Sequence, residues 1–140
     1  MIPSVESVKG HSVEHIFTLT PRHLHYNEYM WVFGMTLSTG IRKIGGAEVF
    51  ARKTANIPTH LTKIEVVFRK DEYNIHHMVF HGETTVHIGR TQQEDEMFKV
   101  GERAGRVERV TLAPGEELLG CEMHHDHSIR GLTFLIKKAL

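Results

Sequence analysis

The sequence has little cysteine, no excess of either charge and no long apolar run, and each absence excludes a class of protein. A single cysteine, Cys121, excludes an internal disulfide framework and favours a reducing compartment. Lysine plus arginine and aspartate plus glutamate both number 17, so no net charge favours nucleic acid or an anionic membrane. Residues 1–15 contain neither the apolar core of a signal peptide nor a membrane span. We therefore expect a cytoplasmic protein without nucleic-acid or membrane partners.

The length and composition of the chain are typical of one globular domain. At 140 residues and 40% hydrophobic content the chain can bury a core without disulfides. No linker or low-complexity segment divides it, so we expect residues 1–140 to form a single domain. Its 12 histidines are unusual for this length, and its charge should rise as the pH falls through the range in which imidazoles titrate.

Short runs rich in Val, Ile, Phe and Thr recur between Gly, Pro and Asn residues, and helical periodicity is weak. This pattern is typical of an antiparallel all-β fold and predicts about ten to twelve strands. The clearest are His15–Thr20, Tyr29–Ser38, Leu61–Arg69, Ile75–His81, Thr84–Gly89, Arg106–Leu112, Glu117–Met123 and Ile129–Lys137. Ile64, Val66 and Phe68 should share one core-facing side of their strand, because alternate side chains of a strand point the same way.

An internal echo indicates how these strands are grouped. The run VEHIFTLTP from Val13 recurs as VERVTLAP from Val107, and each is followed by a second apolar run. A middle unit, IEVVF and then HHMVF, has the same paired form. Three such units predict three small sheets that share one core.

Several segments together resemble the jacalin-related lectins. They are GGAEVF, LTKIEVVFRKDEYNIHHMVF, RVERVTLAPGEELLGCEM and SIRGLTFLIKK, and the part from Val107 to Ile136 is the most specific. The resemblance implies a β-prism I fold, in which three four-stranded antiparallel sheets surround a pseudo-three-fold axis. The segment YMWVFGMTLS looks like the closing strand of that family, which implies a circularly permuted chain.

The resemblance also implies a sugar site at one end of the prism, formed by a Gly-Gly loop and the carboxylate of a Gly-x-x-x-Asp loop. Gly45 and Gly46 match the first loop. The segment PRHLHYNEYMW departs from the second, with no leading Gly and with Trp31 near the usual Asp. We expect Asn27 or Glu28 to replace that carboxylate.

Further candidates come from an aromatic side chain and from a pseudo-equivalent loop. The rings of Tyr26, Tyr29 and Trp31 could stack on the C–H face of a sugar, but an aromatic in a strand is more often a core residue, and we expect this of Trp31. The segment GCEMHHDHS is the closest of the other loops to a Gly-to-Asp loop. The predicted carbohydrate-binding residues are Asn27, Glu28, Tyr29, Gly45, Gly46, Gly120, His125 and Asp126.

The histidines raise a metal hypothesis. The run HLHYNE is similar to the cupin metal motif, but Glu28 lies an odd number of residues from His23 and His25 and would point to the other strand face. MHHDH could hold adventitious metal, yet no cluster has the spacing of a zinc signature. We expect structural histidines and no metal or other cofactor.

Catalytic motifs are missing as well. The chain has no G-x-S-x-G elbow, H-E-x-x-H motif, P-loop or dinucleotide fingerprint, and Cys121 lies in an apolar run typical of a core residue. We therefore expect a carbohydrate-binding module without enzymatic activity. We also expect a homo-oligomer, in which several weak sites together bind a glycan more tightly. The alternatives are a protein-interaction module on a lectin-derived prism and a His-ligated metal-dependent β-barrel enzyme.

Overall fold

A computed structural model describes residues 21–40, 42–46, 48–70, 74–89, 104–125 and 128–138, and these residues form strands and one 3-10 turn, Glu48–Phe50. The strands are β1 (Pro21–Tyr26), β2 (Val32–Leu37), β3 (Arg42–Gly46), β4 (Lys53–Asn56), β5 (Lys63–Arg69), β6 (Ile75–His81), β7 (Thr85–Gly89), β8 (Ala104–Thr111), β9 (Glu117–His125) and β10 (Ile129–Lys137). The all-β prediction is confirmed. Within the described ranges, no helix is both long and apolar enough to span a bilayer.

The strands form three antiparallel sheets. The first has the order β3-β2-β1-β4 and the second the order β7-β6-β5-β8. The third consists, among the described residues, of β9 paired with β10. Three sheets are therefore found, as predicted, with four, four and two strands in the part of the chain that the structure describes. The grouping drawn from the internal echo is wrong for its last unit, because β8, which carries the Val107 run, pairs with β5 of the second sheet, and β10 pairs with β9.

The predicted strands between Tyr29 and Lys137 correspond to β2 and to β5 through β10. The predicted strand His15–Thr20 and the first half of the internal echo lie outside the described residues. Strands β1, β3 and β4 were not among the predicted strands. The expected loop at Gly45 and Gly46 is a strand end, because both glycines pair with β2, opposite Phe33 and Val32.

One hydrophobic core lies between the sheets. Ile64, Val66 and Phe68 are at most 1% exposed, which confirms the predicted core face of β5. Phe33 of the first sheet and Phe134 of the third are fully buried with them. Each such side chain stabilises the fold by about 1.5–3 kcal/mol relative to an exposed one, so the core holds the three sheets together.

The strand directions give the molecule two ends. At one end lie the β1–β2 turn, the close of β3 and the connection from β9 to β10. At the other lie the start of β1, the β4–β5 connection and the β8–β9 connection. The backbone N–H of Ile129, at the start of β10, donates to the carbonyl of Met30 over 3.0 Å, which joins the first and third sheets at the first of these ends.

Candidate functional site

The turn between β1 and β2 is held from inside by Asn27. Its side-chain Oδ1 accepts hydrogen bonds from the backbone N–H groups of Tyr29 (3.2 Å) and Trp31 (3.0 Å), and its carbonyl accepts one from Met30 (3.1 Å). Such a side-chain bond to nearby backbone is the usual role of Asn in tight turns. Asn27 is 6% exposed, so its oxygen is committed to the turn.

Met30 anchors the same turn to the core. Its side chain is fully buried although its φ of 54° is one that non-glycine residues rarely adopt. Buried Met30 and the hydrogen bonds of Asn27 together fix the backbone on both sides of it. Tyr29 and Trp31, on either side of Met30, are thereby presented together at the surface.

An aromatic cluster at the surface results, formed by half-buried Tyr29 and by exposed Trp31 and Phe50. The Tyr29 and Trp31 rings are stacked, with centroids 4.9 Å apart and planes at 27°. Phe50, in the 3-10 turn, meets Trp31 edge-on with centroids 5.4 Å apart. Trp31 is 38% exposed and Phe50 37%, so the expectation that Trp31 is a core residue is wrong. The physical reason is that Trp31 lies in the turn, and the inward alternation of β2 begins with Val32.

Gly45 and Gly46 bring the other segments of the site together. Gly46 has a φ of 90°, and a side chain there would overlap the carbonyl oxygen of Trp31. A Cβ atom on Gly45 would lie 2.8 Å from the Cδ2 atom of the His125 ring. These contacts require glycine, because only a bare backbone permits such close approach. The end of β3 is therefore packed between the aromatic turn and the end of β9.

The charged groups beside the aromatic cluster are Glu28 and Lys53. The Glu28 carboxylate and the Lys53 ammonium lie 3.7 Å apart, with side chains 36% and 48% exposed. A pair this exposed contributes little to stability, and its partners can turn towards a ligand at small cost. The pair supplies one acceptor group and one donor group at the edge of the aromatic surface.

The predicted site residues fall into three groups. Glu28, Tyr29, Gly45, Gly46 and His125 lie together at this end, around the turn that Asn27 holds. Gly120 lies apart, buried in the middle of β9 opposite Leu135 and five residues before His125, a separation of about 16 Å along a strand. Asp126 lies outside the described residues.

The sequence reasoning missed three residues of this surface. It did not predict Phe50 or Lys53, and it expected Trp31 in the core. Asn27 offered a signal for Trp31, since Asn favours tight turns and a turn after it removes Trp31 from the strand. For Phe50 and Lys53 there was none, because the contact of Phe50 with Trp31 joins residues that are far apart in the chain.

The histidines of β1 are engaged with neighbouring side chains. A ring nitrogen of His23, Nδ1, shares a hydrogen bond of 2.9 Å with Oδ1 of Asn56, and Nε2 of His25 shares one of 2.5 Å with the Thr36 hydroxyl. Glu28, the third member of the cupin-like run, pairs with Lys53. Among the described residues no group of three or more His, Cys, Asp or Glu side chains is placed to hold a metal ion. The metal hypothesis gains no support from this geometry.

Cys121 lies partly buried against the core. Burial, assisted by the charge of Glu122, raises the pKa of the Cys121 thiol far above its ordinary value, and the Sγ atom lies 3.5 Å from the carbonyl of Glu122. A thiol with a raised pKa carries almost no thiolate at neutral pH and is a poor nucleophile.

Comparison with known proteins gives no match: no family model fits the chain, and no curated protein or solved structure is significantly similar to it.

Proposed function

We propose that this protein is a carbohydrate-binding module whose binding surface is the aromatic cluster of Tyr29, Trp31 and Phe50 with the groups around it. The observation that carries the proposal is the stacked pair of half-buried Tyr29 and exposed Trp31, held in place by a turn with its own buried anchor. Contiguous apolar patches on the surface of a soluble protein often mark a site that binds another molecule.

A sugar matches this surface both with its apolar C–H face and with its hydroxyl groups. One face of a pyranose ring carries C–H groups that can lie flat on an aromatic ring, where apolar contact and the ring quadrupole both favour them. Sugar hydroxyls need donors and acceptors around that contact, and Lys53 and Glu28 supply them at its edge. The exposed ring of His125, beyond Gly45, extends the polar rim.

We propose that the chain is related to the jacalin-related lectins and that its fold is a β-prism I. Three antiparallel sheets around one core support it, as does the meeting of the Gly-Gly segment with the β1–β2 turn and the β9 end. In this proposal aromatic stacking replaces much of the contribution that the usual Asp makes in the family. A single shallow site binds weakly, on the order of millimolar to tens of micromolar, so avidity through a homo-oligomer is part of the proposal.

A protein-interaction module is the second candidate. Trp and Tyr side chains are the commonest anchors of protein interfaces, and the exposed Trp31 and Phe50 form such an anchor. Sugar binding remains the first proposal because the surface combines a flat stacked pair with a hydrophilic edge.

The test is a broad glycan array, followed by titration calorimetry on any hit, with the wild type and two variants. Trp31→Ala should weaken binding about tenfold or more, since an aromatic stacking contact contributes on the order of 1 kcal/mol beyond its buried area. Val107→Ala is the matched control, because Val107 is an exposed hydrophobic residue of similar exposure, 36%, on β8. It should bind as the wild type does.

Two outcomes would contradict the proposal. Glycan binding that survives Trp31→Ala would place the sugar elsewhere on the molecule. An array without hits, from protein whose circular dichroism shows intact β-structure, would favour the protein-interaction module instead.

A further inference from the structure

A large cavity lies at the end of the molecule opposite the aromatic cluster. Its volume is about 840 Å³, within the range of small-molecule sites. It is lined by three segments, residues 21–23, 56–62 and 112–118, which belong to the start of β1, the β4–β5 connection and the β8–β9 connection with the start of β9. The cavity therefore lies where the three sheets meet, and it is remote from the candidate sugar site.

The cavity walls combine apolar with polar side chains, and prolines restrict part of their backbone. Pro21, Pro58 and Pro114 all line it, and proline restricts the backbone at each of these positions. Leu112 and Leu118 are buried beneath the surface, 5% and 6% exposed. A wall that is already ordered loses little conformational entropy when a ligand binds.

Backbone hydrogen bonds tie the three segments to one another. The N–H of Ile57 donates to the carbonyl of Arg22 over 3.0 Å, and the N–H of Leu112 donates to the carbonyl of Thr62 over 2.8 Å. These bonds link the first segment to the second and the second to the third. The cavity is thus part of the folded structure and does not depend on a closing loop.

Most polar side chains of the cavity already have partners. The Glu116 carboxylate accepts from the N–H of Ala113 (2.7 Å) and pairs with Lys138 (3.1 Å). His60 and Thr59 both bond to the Glu83 carboxylate, over 2.6 and 2.8 Å. These groups are committed to the protein.

Two charged side chains of the lining have no ion-pair partner among the described residues. Arg22 and Glu117 are exposed, and neither forms an ion pair within the part of the chain that the structure describes. They belong to different walls, because Arg22 lies on β1 of the first sheet and Glu117 on β9 of the third. The cavity therefore offers one cation, one anion and an apolar surface.

From this arrangement we propose that the cavity binds a short apolar peptide with free ends, its carboxylate on the Arg22 guanidinium and its ammonium on the Glu117 carboxylate. Arg and carboxylate match in planar geometry and can form two parallel hydrogen bonds. Three residues in extended conformation are about 10 Å long, a length that a cavity of about 840 Å³ can hold. The apolar side chains of the peptide contact Ile57, Leu61 and Leu112.

Other ligand classes fit this charge pattern less well. A neutral sugar leaves both charges without a counter-charge, and the lining contains no Phe, Tyr or Trp ring for it to stack on. A nucleotide carries several negative charges, which would meet the carboxylates of Glu116 and Glu117. A zwitterion with an apolar body satisfies both charges and the walls.

The experiment is a ¹H–¹⁵N NMR titration of the full chain with the tripeptide Ala-Leu-Ala up to about 10 mM, the range that detects millimolar affinity. Saturable shifts should concentrate on amides of segments 21–23, 56–62 and 112–118. Arg22→Ala and Glu117→Gln should each weaken binding about fivefold, as expected for loss of one exposed charge contact. Arg52→Ala and Glu48→Gln remove exposed charges outside the cavity and should leave binding unchanged.

The same titration with the tripeptide acetylated at its N-terminus and amidated at its C-terminus tests the role of the charges. Equal binding of capped and free peptide, or no saturable shift from the free peptide, would overturn the proposal. Shifts confined to the aromatic cluster would overturn it as well. Trp31→Ala should leave peptide binding intact, which keeps this inference separable from the proposed sugar site.

Discussion

At the scale of single residues, Gly46 is the clearest case of a position that admits no side chain. It combines a φ of 90° with a carbonyl oxygen, that of Trp31, in the space where a Cβ atom would lie. Gly40, in the β2–β3 turn, has almost the same φ, 89°, but no heavy atom of the described residues lies within 4 Å of its Cβ position. A comparison of substitutions at these two glycines therefore distinguishes the cost of backbone strain from the cost of steric overlap.

Gly46→Ala should lower the free energy of unfolding by about 2–4 kcal/mol, because it adds overlap to the strain of a left-handed backbone. Gly40→Ala should cost about 1 kcal/mol, the strain alone. Urea denaturation followed by far-ultraviolet circular dichroism measures both values. Equal losses for the two variants would show that the backbone near Trp31 moves away to accommodate a methyl group.

At the scale of structural elements, the β1–β2 turn determines whether the aromatic cluster exists. Asn27 satisfies the N–H groups of Tyr29 and Trp31, and Met30 adopts an unfavourable φ of 54° to reach the core. The strain at Met30 is tolerated because core burial and the Asn27 bonds outweigh it. The turn thus places the Trp31 ring in water, the half-buried Tyr29 ring against it and the Met30 side chain in the core.

Asn27→Ala should destabilise the protein by about 1–3 kcal/mol, because it leaves two turn N–H groups without their acceptor. Asn27→Asp retains an oxygen in the same place and should recover most of that loss. Thr39→Ala, an exposed substitution in the next turn, is the control and should change stability by less than about 0.5 kcal/mol. Thermal or urea unfolding decides the order, and an Asp variant as unstable as the Ala variant would contradict this role for Asn27.

Sequence patterns identified the strands that carry apolar runs, and they failed where pairing partners decide the structure. β5 and β6 carry runs of Val, Ile and Phe, which identify strands in isolation. β3 and β4 are short edge strands, RKIGG and KTAN, that extend because a neighbour supplies hydrogen bonds. β1 carries Arg22, His23 and His25, and its pattern resembles a loop.

The candidate site was also predictable only in part, because only some of its residues lie in local patterns that can be recognised in the sequence. Gly45, Gly46, Glu28 and Tyr29 were found because each lies in a segment with a recognisable pattern. The contacts of Phe50 with Trp31 and of His125 with Gly45 depend on how the sheets pack. Local sequence carries no record of such long-range contacts.

At the scale of the whole molecule, His25 couples folding to pH. Its Nδ1 atom is buried and has no hydrogen-bond partner among the described residues, while Nε2 bonds to Thr36. Burial, then the positive charge of Arg42 and the ring of His23, lower the pKa of His25 below 6.5. Since the unfolded chain protonates this ring more readily than the native state does, His25 makes the fold less stable in acid.

The loss of stability begins as the pH falls below about 6.5 and ends once the pH is below the folded-state pKa, where both states are protonated. His25→Gln removes the titration and keeps an amide that can bond to Thr36. The variant should therefore lose less free energy of unfolding than the wild type between about pH 7.5 and pH 5.5. His87→Gln, at an exposed ring on β7, should lose as much as the wild type. Urea denaturation at the two pH values measures this, and an identical loss in all three proteins would assign the effect to other groups.

Trp31 is the single tryptophan of the chain, and it lies 38% exposed within the aromatic cluster. The long-wavelength ultraviolet fluorescence of the folded protein therefore comes from one indole at the candidate sugar site. A molecule that covers this ring removes water from it and moves its emission to shorter wavelength, whereas a molecule in the cavity at the far end leaves the ring hydrated. The protein thus carries an intrinsic optical reporter that distinguishes occupancy of its two ends without any label.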